Sequence, residues 1–195
     1  MLTLKNGPVT QAIAFRGPVL HRALQQFLTL FYWGDLDVLL LDLPPGTGDI
    51  AMSTAQLLPQ AELLVVTTPQ PASAEVAVRA GTLSQYTNQR VLGVVENMSA
   101  MPCPHCGEPI DLFGVGGGQM VADALTKDLG YDVPLMSRVP FDVRLREGGD
   151  HGVPLVSASP ESPAAQAIRD LATRIADKPR GLAGMSLGIT PASRA

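Results

Sequence analysis

The sequence predicts an α/β fold with three layers, in which a mostly parallel sheet has helices on both faces. Short continuous apolar runs alternate along the chain with longer stretches whose apolar residues recur every three or four positions. Continuous runs are typical of strands buried on both faces of a parallel sheet, and the longer period is typical of amphipathic helices. Their alternation favours strand–helix–strand units with right-handed crossovers.

The elements follow from these two patterns. Apolar runs predict strands at 38–41, 63–67, 91–95 and 135–139, and a fifth at 153–156 that Pro154 restricts to a sheet edge. Helices are predicted after Arg16-Gly17-Pro18, over about 50–57 and 72–86, from the glycines near 118 to about 129, and from Ser162-Pro163 onward. Residues 1–177 are predicted to form a single domain, and 178–195 a disordered tail, because Gly, Pro, Ser and Ala dominate there without a period.

Composition narrows the class of protein. The chain has 195 residues, 46% of them hydrophobic, and a net charge of −4. No apolar run approaches the about 20 residues that span a bilayer, and no signal peptide is visible, so we expect a cytoplasmic protein without a membrane partner. No basic cluster or basic aromatic stripe occurs, which disfavours nucleic-acid binding.

The segment Val38-Leu-Leu-Leu-Asp42-Leu-Pro-Pro-Gly-Thr-Gly-Asp49 joins an apolar run to a carboxylate and a tight loop. Ligands of parallel sheets bind outside the carboxyl ends of the strands. Asp42 therefore stands where a nucleotide-binding protein places a carboxylate that organises Mg²⁺. A solvated aspartate before a Pro-Gly turn explains the same pattern equally well.

The two cysteines, Cys103 and Cys106, are three residues apart in Pro-Cys-Pro-His-Cys-Gly. Gly107 and Pro109 disfavour the helix that a disulfide oxidoreductase would need at this position. Two incidental thiols are a further alternative, but metal binding is favoured, because Gly107 tolerates the positive φ of a turn that aims both sulfurs to one side. Zinc or a [4Fe-4S] cluster takes about four ligands, so the simplest completion is a homodimer with two cysteines from each copy.

Other motifs lie after the predicted strands. The glycines of 114–118 are expected to form a flexible or close-packed turn, because no lysine follows a glycine anywhere and the pattern G-x-x-x-x-G-K-[ST] is absent from these 195 residues. Asn97 and the loop Pro140-Phe141-Asp142 follow strand ends on the edge that Asp42 shares. They could bind a base there, although capping of the strand ends is the simpler interpretation.

Together these motifs resemble the Mrp/ApbC iron–sulfur cluster carrier ATPases, which are similar in fold to MinD and the nitrogenase iron protein. The resemblance covers about 13–177 and rests on many motifs in order: Asp42-Leu-Pro-Pro-Gly-Thr-Gly-Asp49, Thr67-Thr-Pro-Gln70, Gly93-Val-Val-Glu-Asn-Met-Ser99, Cys103-Pro-His-Cys106, Phe113-Gly-Val-Gly-Gly-Gly118, Val139-Pro-Phe-Asp142, Arg146-Glu-Gly-Gly-Asp150 and Ser162-Pro-Ala-Ala165.

The resemblance implies an ATP-dependent, dimeric scaffold of P-loop NTPase-like fold that binds a [4Fe-4S] cluster between paired Cys103 and Cys106 and passes it to apo iron–sulfur proteins. It also implies roles for single residues. Asp42, which would hold Mg²⁺, and Asp49, a switch partner, are the two catalytic candidates, and Gly46 and Gly48 would belong to the switch that senses the γ-phosphate. Asn97 would contact adenine, and Pro140 and Asp142 would lie beside the base and the ribose.

The P-loop of the family would precede the Asp42 segment, and the chain starts after it. We therefore expect very weak ATP binding, no hydrolysis by this chain alone, and an unpaired apolar edge that favours association. A truncated product, a mis-set start and one half of a split protein would each explain this start. The alternatives to a carrier are a zinc-bridged structural dimer and an inactive remnant.

Overall fold

The computed structural model describes residues 17–44 and 48–177. Its elements, in chain order, are α1 (Gly17–Leu30), α2 (Asp49–Leu57), β1 (Leu63–Thr67), α3 (Pro71–Thr82), α4 (Ser84–Thr87), β2 (Val91–Ser99), β3 (Met101–Pro102), β4 (Pro109–Ile110), α5 (Gly117–Leu129), β5 (Leu135–Pro140), α6 (Val143–His151), α7 (Leu155–Ala158) and α8 (Pro163–Ala176). Gly46 and the predicted tail at 178–195 lie outside the described residues.

The central sheet is parallel and has the order β1-β2-β5 in the described part of the chain. Val94 and Val95, adjacent on β2, belong to two different apolar clusters. One cluster joins the sheet to α3 and α5 around Leu125, and the other joins it to α7 and α8 around Leu155. Helices therefore cover both faces, and the predicted α/β fold with three layers is confirmed.

The strand predicted at 38–41 is absent. These residues form no strand, and Leu40 is 76% exposed. Strand geometry is stable only when a neighbour takes up the backbone hydrogen bonds, and no strand of the described residues lies beside this segment. The prediction was therefore wrong for this segment, although its apolar pattern matches that of the three strands in the sheet.

The edge strand predicted at 153–156 is also wrong, since this region begins the short helix α7. The Pro154 carbonyl accepts hydrogen bonds from the Ser157 and Ala158 N–H groups, both at 3.0 Å. Pro154 thus precedes the first helical residue, where its lack of an N–H costs nothing. The predicted helix at 72–86 forms as α3 and α4, which meet at Leu83.

Helix α6 follows β5 and was not predicted, because Gly148 and Gly149 are poor helix formers. Its first turn is capped by Asp142, and Arg146 pairs with Asp150 one turn further on at 3.2 Å. No helix in the described residues is long and apolar enough to cross a membrane.

Candidate functional site

The site predicted from the sequence centres on the carboxyl edge of the sheet. Thr67 lies opposite Glu96, and Ser99 lies opposite Pro140, in the registers of the three parallel strands. The ends of β1, β2 and β5 therefore meet at one edge. Asn97, Pro140 and Asp142 lie there, as expected, and the cysteine segment leaves the sheet from the same edge.

The cysteines lie in a turn between β3 and β4, which pair as a two-stranded antiparallel hairpin. The Cys103 N–H donates to the Glu108 carbonyl at 2.8 Å, and the Gly107 N–H donates to the Cys103 carbonyl at 2.9 Å. Gly107 has a φ of +78°, the left-handed conformation expected for the residue that closes the turn. We call residues 101–110 the cysteine hairpin.

The thiols are accessible at this turn. Cys106 is exposed and Cys103 is half-buried, and neither forms a disulfide. Hydrogen bonds to the Cys103 sulfur, first from the Cys106 backbone N–H and then from the His105 backbone N–H, hold the pKa of Cys103 below its ordinary value. The thiolate is the form that ligates metals, so this turn favours the state needed for binding.

The donor set of one chain is small. Within 17–44 and 48–177, no group of three or more His, Cys, Asp and Glu side chains is placed to hold a metal ion. The two sulfurs fit half of the ligand set of a tetrahedral zinc or a [4Fe-4S] cluster.

The segments on either side of the cysteine hairpin contact the loop after β5. The Phe113 ring lies 5.9 Å from the Phe141 ring, measured between centroids, and the Phe141 N–H donates to the Ser99 carbonyl at 3.2 Å. A cavity of about 250 Å³ separates the start of the hairpin from this loop, and its lining includes Met101, Pro140 and Asp142. A larger groove of about 520 Å³ along α6 and α7 contains none of the residues predicted for the site.

Asp142 and Asn97 both make local contacts. The Asp142 carboxylate accepts the Arg144 backbone N–H at 2.9 Å and pairs with the Arg144 guanidinium at 2.7 Å. The Arg144 hydrogen bonds, led by that of its side chain, hold the pKa of Asp142 below its ordinary range. The Asn97 side-chain oxygen accepts the Met98 N–H at 2.9 Å. Asp142 thus caps the start of α6, whereas the simpler interpretation from the sequence was a cap of the strand end.

The Asp42 segment is not part of this edge in the sheet. Asp42 is exposed and follows the unpaired residues 38–41, whereas Gly48 is the N-cap of α2 and Asp49 is its first residue. Asp49 is also exposed. Their predicted roles in a Mg²⁺ and switch site stay predictions.

Sequence reasoning missed Glu96. Its carboxylate is buried at the end of β2 and is hydrogen-bonded to residues on both sides of the cysteine hairpin. The signal was an acidic residue directly after the continuous apolar run 91–95, a place where a buried charge needs partners.

Comparison with known proteins identifies the family. The profile of the NUBPL iron-transfer P-loop NTPases, within the ParA group, matches residues 4–176. The chain belongs to this family. A relative named iron-sulfur cluster carrier protein from Mycobacterium tuberculosis is 57% identical over 182 residues, which are 93% of this chain and 48% of the relative. A protein of the same name from Deinococcus radiodurans is 44% identical over 169 residues, 87% of this chain and 46% of that protein. The chain spans about half the length of the curated relatives it matches.

Solved structures support the fold of this family member. The septum site-determining protein MinD from Pyrococcus horikoshii, complexed with Mg-ADP, has a TM-score of 0.57 and 26% identity over 89% of this chain and 60% of that chain. A nucleotide-binding protein from Archaeoglobus fulgidus, in complex with ADP, has a TM-score of 0.57 and 36% identity over 69% of this chain and 53% of that chain. The resemblance to MinD-like P-loop NTPases is thus confirmed.

Proposed function

We propose that this chain carries an iron–sulfur cluster and delivers it to apoproteins in the cytoplasm, where thiols stay reduced. The main observation behind this proposal is the cysteine hairpin. It presents an exposed and a half-buried thiol in one turn, and its hydrogen bonds lower the pKa of Cys103. The name shared by the relatives supports the same function. Exposure suits transfer, because a recipient's thiolates can reach a cluster held at a surface.

The proposed cargo is a [4Fe-4S] cluster held by Cys103 and Cys106 of two copies of the chain. Two sulfurs from each copy complete the about four thiolates that such a cluster takes. A two-fold axis through the cluster would place the same hairpin on both sides, as in a symmetric homodimer. The experiments below separate this from a zinc-bridged dimer.

We further propose that the carrier responds to ATP, as a P-loop NTPase. The proposed base and ribose side is Asn97, Pro140 and Asp142, and the proposed Mg²⁺ and switch side is Asp42, Gly46, Gly48 and Asp49. Backbone amides and a lysine of a P-loop supply most triphosphate affinity in such sites. We expect the 195-residue chain alone to bind ATP weakly and to hydrolyse none, and titration with labelled ATP at micromolar concentration tests this.

Anaerobic reconstitution with iron and sulfide tests the cluster. We expect a broad visible absorption band from thiolate-bound iron, together with a dimer in sedimentation velocity at concentrations too low for the metal-free chain to associate. Cys103→Ala and Cys106→Ala should each abolish both changes, whereas His105→Ala, in the same turn, should retain them. A band that survives Cys103→Ala would contradict the proposal, and metal analysis that finds only zinc after aerobic purification would favour the structural dimer.

A further inference from the structure

A buried carboxylate at the end of β2 has no part in the function proposed above. Glu96 is 2% exposed. One carboxylate oxygen, Oε2, accepts the Gly118 backbone N–H at 2.6 Å, and the other, Oε1, accepts the Ser99 hydroxyl at 2.9 Å. The Arg138 Nε lies 3.6 Å from Oε1, with its side chain 56% exposed. A carboxylate taken out of water is costly unless it is hydrogen-bonded, and here both oxygens have partners.

These partners lie on either side of the cysteine hairpin. Ser99 ends β2 just before the hairpin, and Gly118, in the first turn of α5, follows the hairpin after the connecting residues 111–117. Glu96 and Gly118 are 22 positions apart in sequence, and both cysteines lie between them. We call Glu96 with its Ser99 and Gly118 partners the Glu96 bridge.

The start of α5 lies very close to the ends of β1 and β2 around the Glu96 bridge. A Cβ at Gly118 would lie 2.7 Å from the Glu96 Cβ, and a Cβ at Gly117 would lie 2.5 Å from the Thr68 carbonyl oxygen. Only glycines let α5 begin this near to the edge of the sheet. The N–H groups of a first helical turn have no partner within the helix, and an acceptor of negative charge stabilises them.

We propose that Glu96 is a positioning residue that holds the segments at both ends of the cysteine hairpin, at Ser99 and Gly118, against the sheet. This deepens the function proposed above and rests on it. With both ends fixed, Cys103 and Cys106 face the second copy in one orientation, and less conformational freedom is lost when metal binds. Without the bridge, the hairpin keeps its own turn but loses its fixed position.

Cobalt(II) titration and hydrogen exchange test the proposal in the full 195-residue chain. Glu96→Ala removes both hydrogen bonds. We expect it to weaken cobalt binding about tenfold, the lower end for residues that orient metal ligands. We also expect an altered ligand-field spectrum of the bound cobalt and faster exchange of the amides at 99–117 in metal-free protein.

Glu96→Gln is the conservative variant. Its amide oxygen can accept the Gly118 N–H, and its NH₂ can donate to a reoriented Ser99 hydroxyl. We expect Gln to restore cobalt affinity, spectrum and exchange to near the original values. The matched control is Thr126→Val, which removes a side-chain acceptor of the Val133 N–H, at 2.9 Å, from the far end of α5. It should leave all three measurements unchanged.

A folded Glu96→Ala protein with unchanged cobalt binding and unchanged exchange would overturn the proposal, because a residue that positions the hairpin must change both. Faster exchange with unchanged cobalt binding would overturn it too, because a purely structural role predicts that result. Failure of Gln to restore would assign the effect to charge and would overturn the hydrogen-bonded bridge. If Glu96→Ala does not fold, Ser99→Ala decides by the same measurements, with faster exchange expected. If the unsubstituted chain binds no cobalt, the proposed function fails, and exchange in metal-free protein alone still decides the role of Glu96.

Discussion

The Asp142 carboxylate combines an N-cap with an ion pair, and the two contributions can be measured separately. Asp142→Ala should lower the free energy of unfolding by about 1 kcal/mol, because the Arg144 N–H loses its acceptor. Asp142→Asn keeps an acceptor and removes only the charge. It should cost less than about 1 kcal/mol, because the Arg144 side chain is 54% exposed and water screens the pair. Urea unfolding measures both variants.

The pH dependence of this pair has a definite sign. Arg144 lowers the pKa of Asp142 in the folded state. The charge contribution is therefore present above the pKa of the unfolded chain, about 3.9, and is lost as pH falls through the folded value. The difference between the unsubstituted protein and Asp142→Asn should vanish in acid. Asp150→Asn, in an exposed pair of α6, should change stability by less than about 0.5 kcal/mol at any pH.

Substitution of glycine by alanine should have opposite effects at two positions in helices. Gly118→Ala should destabilise the protein by about 1–3 kcal/mol, because its Cβ would lie 2.7 Å from the Glu96 Cβ. Gly149→Ala should stabilise it by about 0.5–1 kcal/mol, because nothing lies within 4 Å of its Cβ and alanine favours a helix. Thermal unfolding checks both, and a neutral Gly118→Ala would mean that α5 begins farther from β2.

At the scale of elements, Phe113 and Phe141 join the segment after the cysteine hairpin to the loop before α6. A double-mutant cycle with alanine at both positions should give a coupling free energy of about 0.5–1.5 kcal/mol, the range for tilted aromatic pairs. Phe27→Ala in α1 is the control, since it should combine additively with Phe141→Ala. Additive Phe113 and Phe141 substitutions would show that the segment after the hairpin and this loop are not energetically coupled through the two rings.

The strands that were predicted correctly from the sequence are those that have a neighbouring strand in the sheet. The runs at 63–67, 91–95 and 135–139 became strands because each one has a neighbour in the sheet. The apolar run at 38–41 has the same pattern but forms no strand, because an apolar pattern does not show whether a neighbouring strand is present. The hairpin strands are two residues long and contain Pro102 and Pro109, so they have no periodicity to detect.

For the candidate site, sequence located the residue types but not their contacts. The CxxC spacing and Gly107 predicted the turn, since turn chemistry is local. Gly118, one hydrogen-bond partner of Glu96, lies 22 positions away, and this contact becomes visible only when β2 and α5 pack together. Asp142 was interpreted from the sequence as a cap of the strand end, and its role as the N-cap of α6 was missed because that helix was not predicted.

At the scale of the whole molecule, we expect association through two surfaces of different chemistry. One is the cysteine hairpin, whose proposed association needs metal. The other is the apolar stretch 30–40, in which Leu30 is 74%, Tyr32 94% and Leu40 76% exposed. Contiguous exposed apolar surface favours association, and this second mode needs no metal.

Association through the stretch 30–40 can be measured alone by sedimentation velocity of the metal-free double variant Cys103→Ala, Cys106→Ala, which cannot form the metal-dependent dimer. We expect the weight-average mass to rise with concentration, and added sulfate to strengthen the association, because sulfate increases the effective burial of apolar surface. Leu40→Lys should weaken it, whereas Tyr86→Lys, 82% exposed on α4, should not. A monomer at every concentration would contradict this prediction. Association equally weakened by Tyr86→Lys would place the metal-independent contact on a different surface from the stretch 30–40.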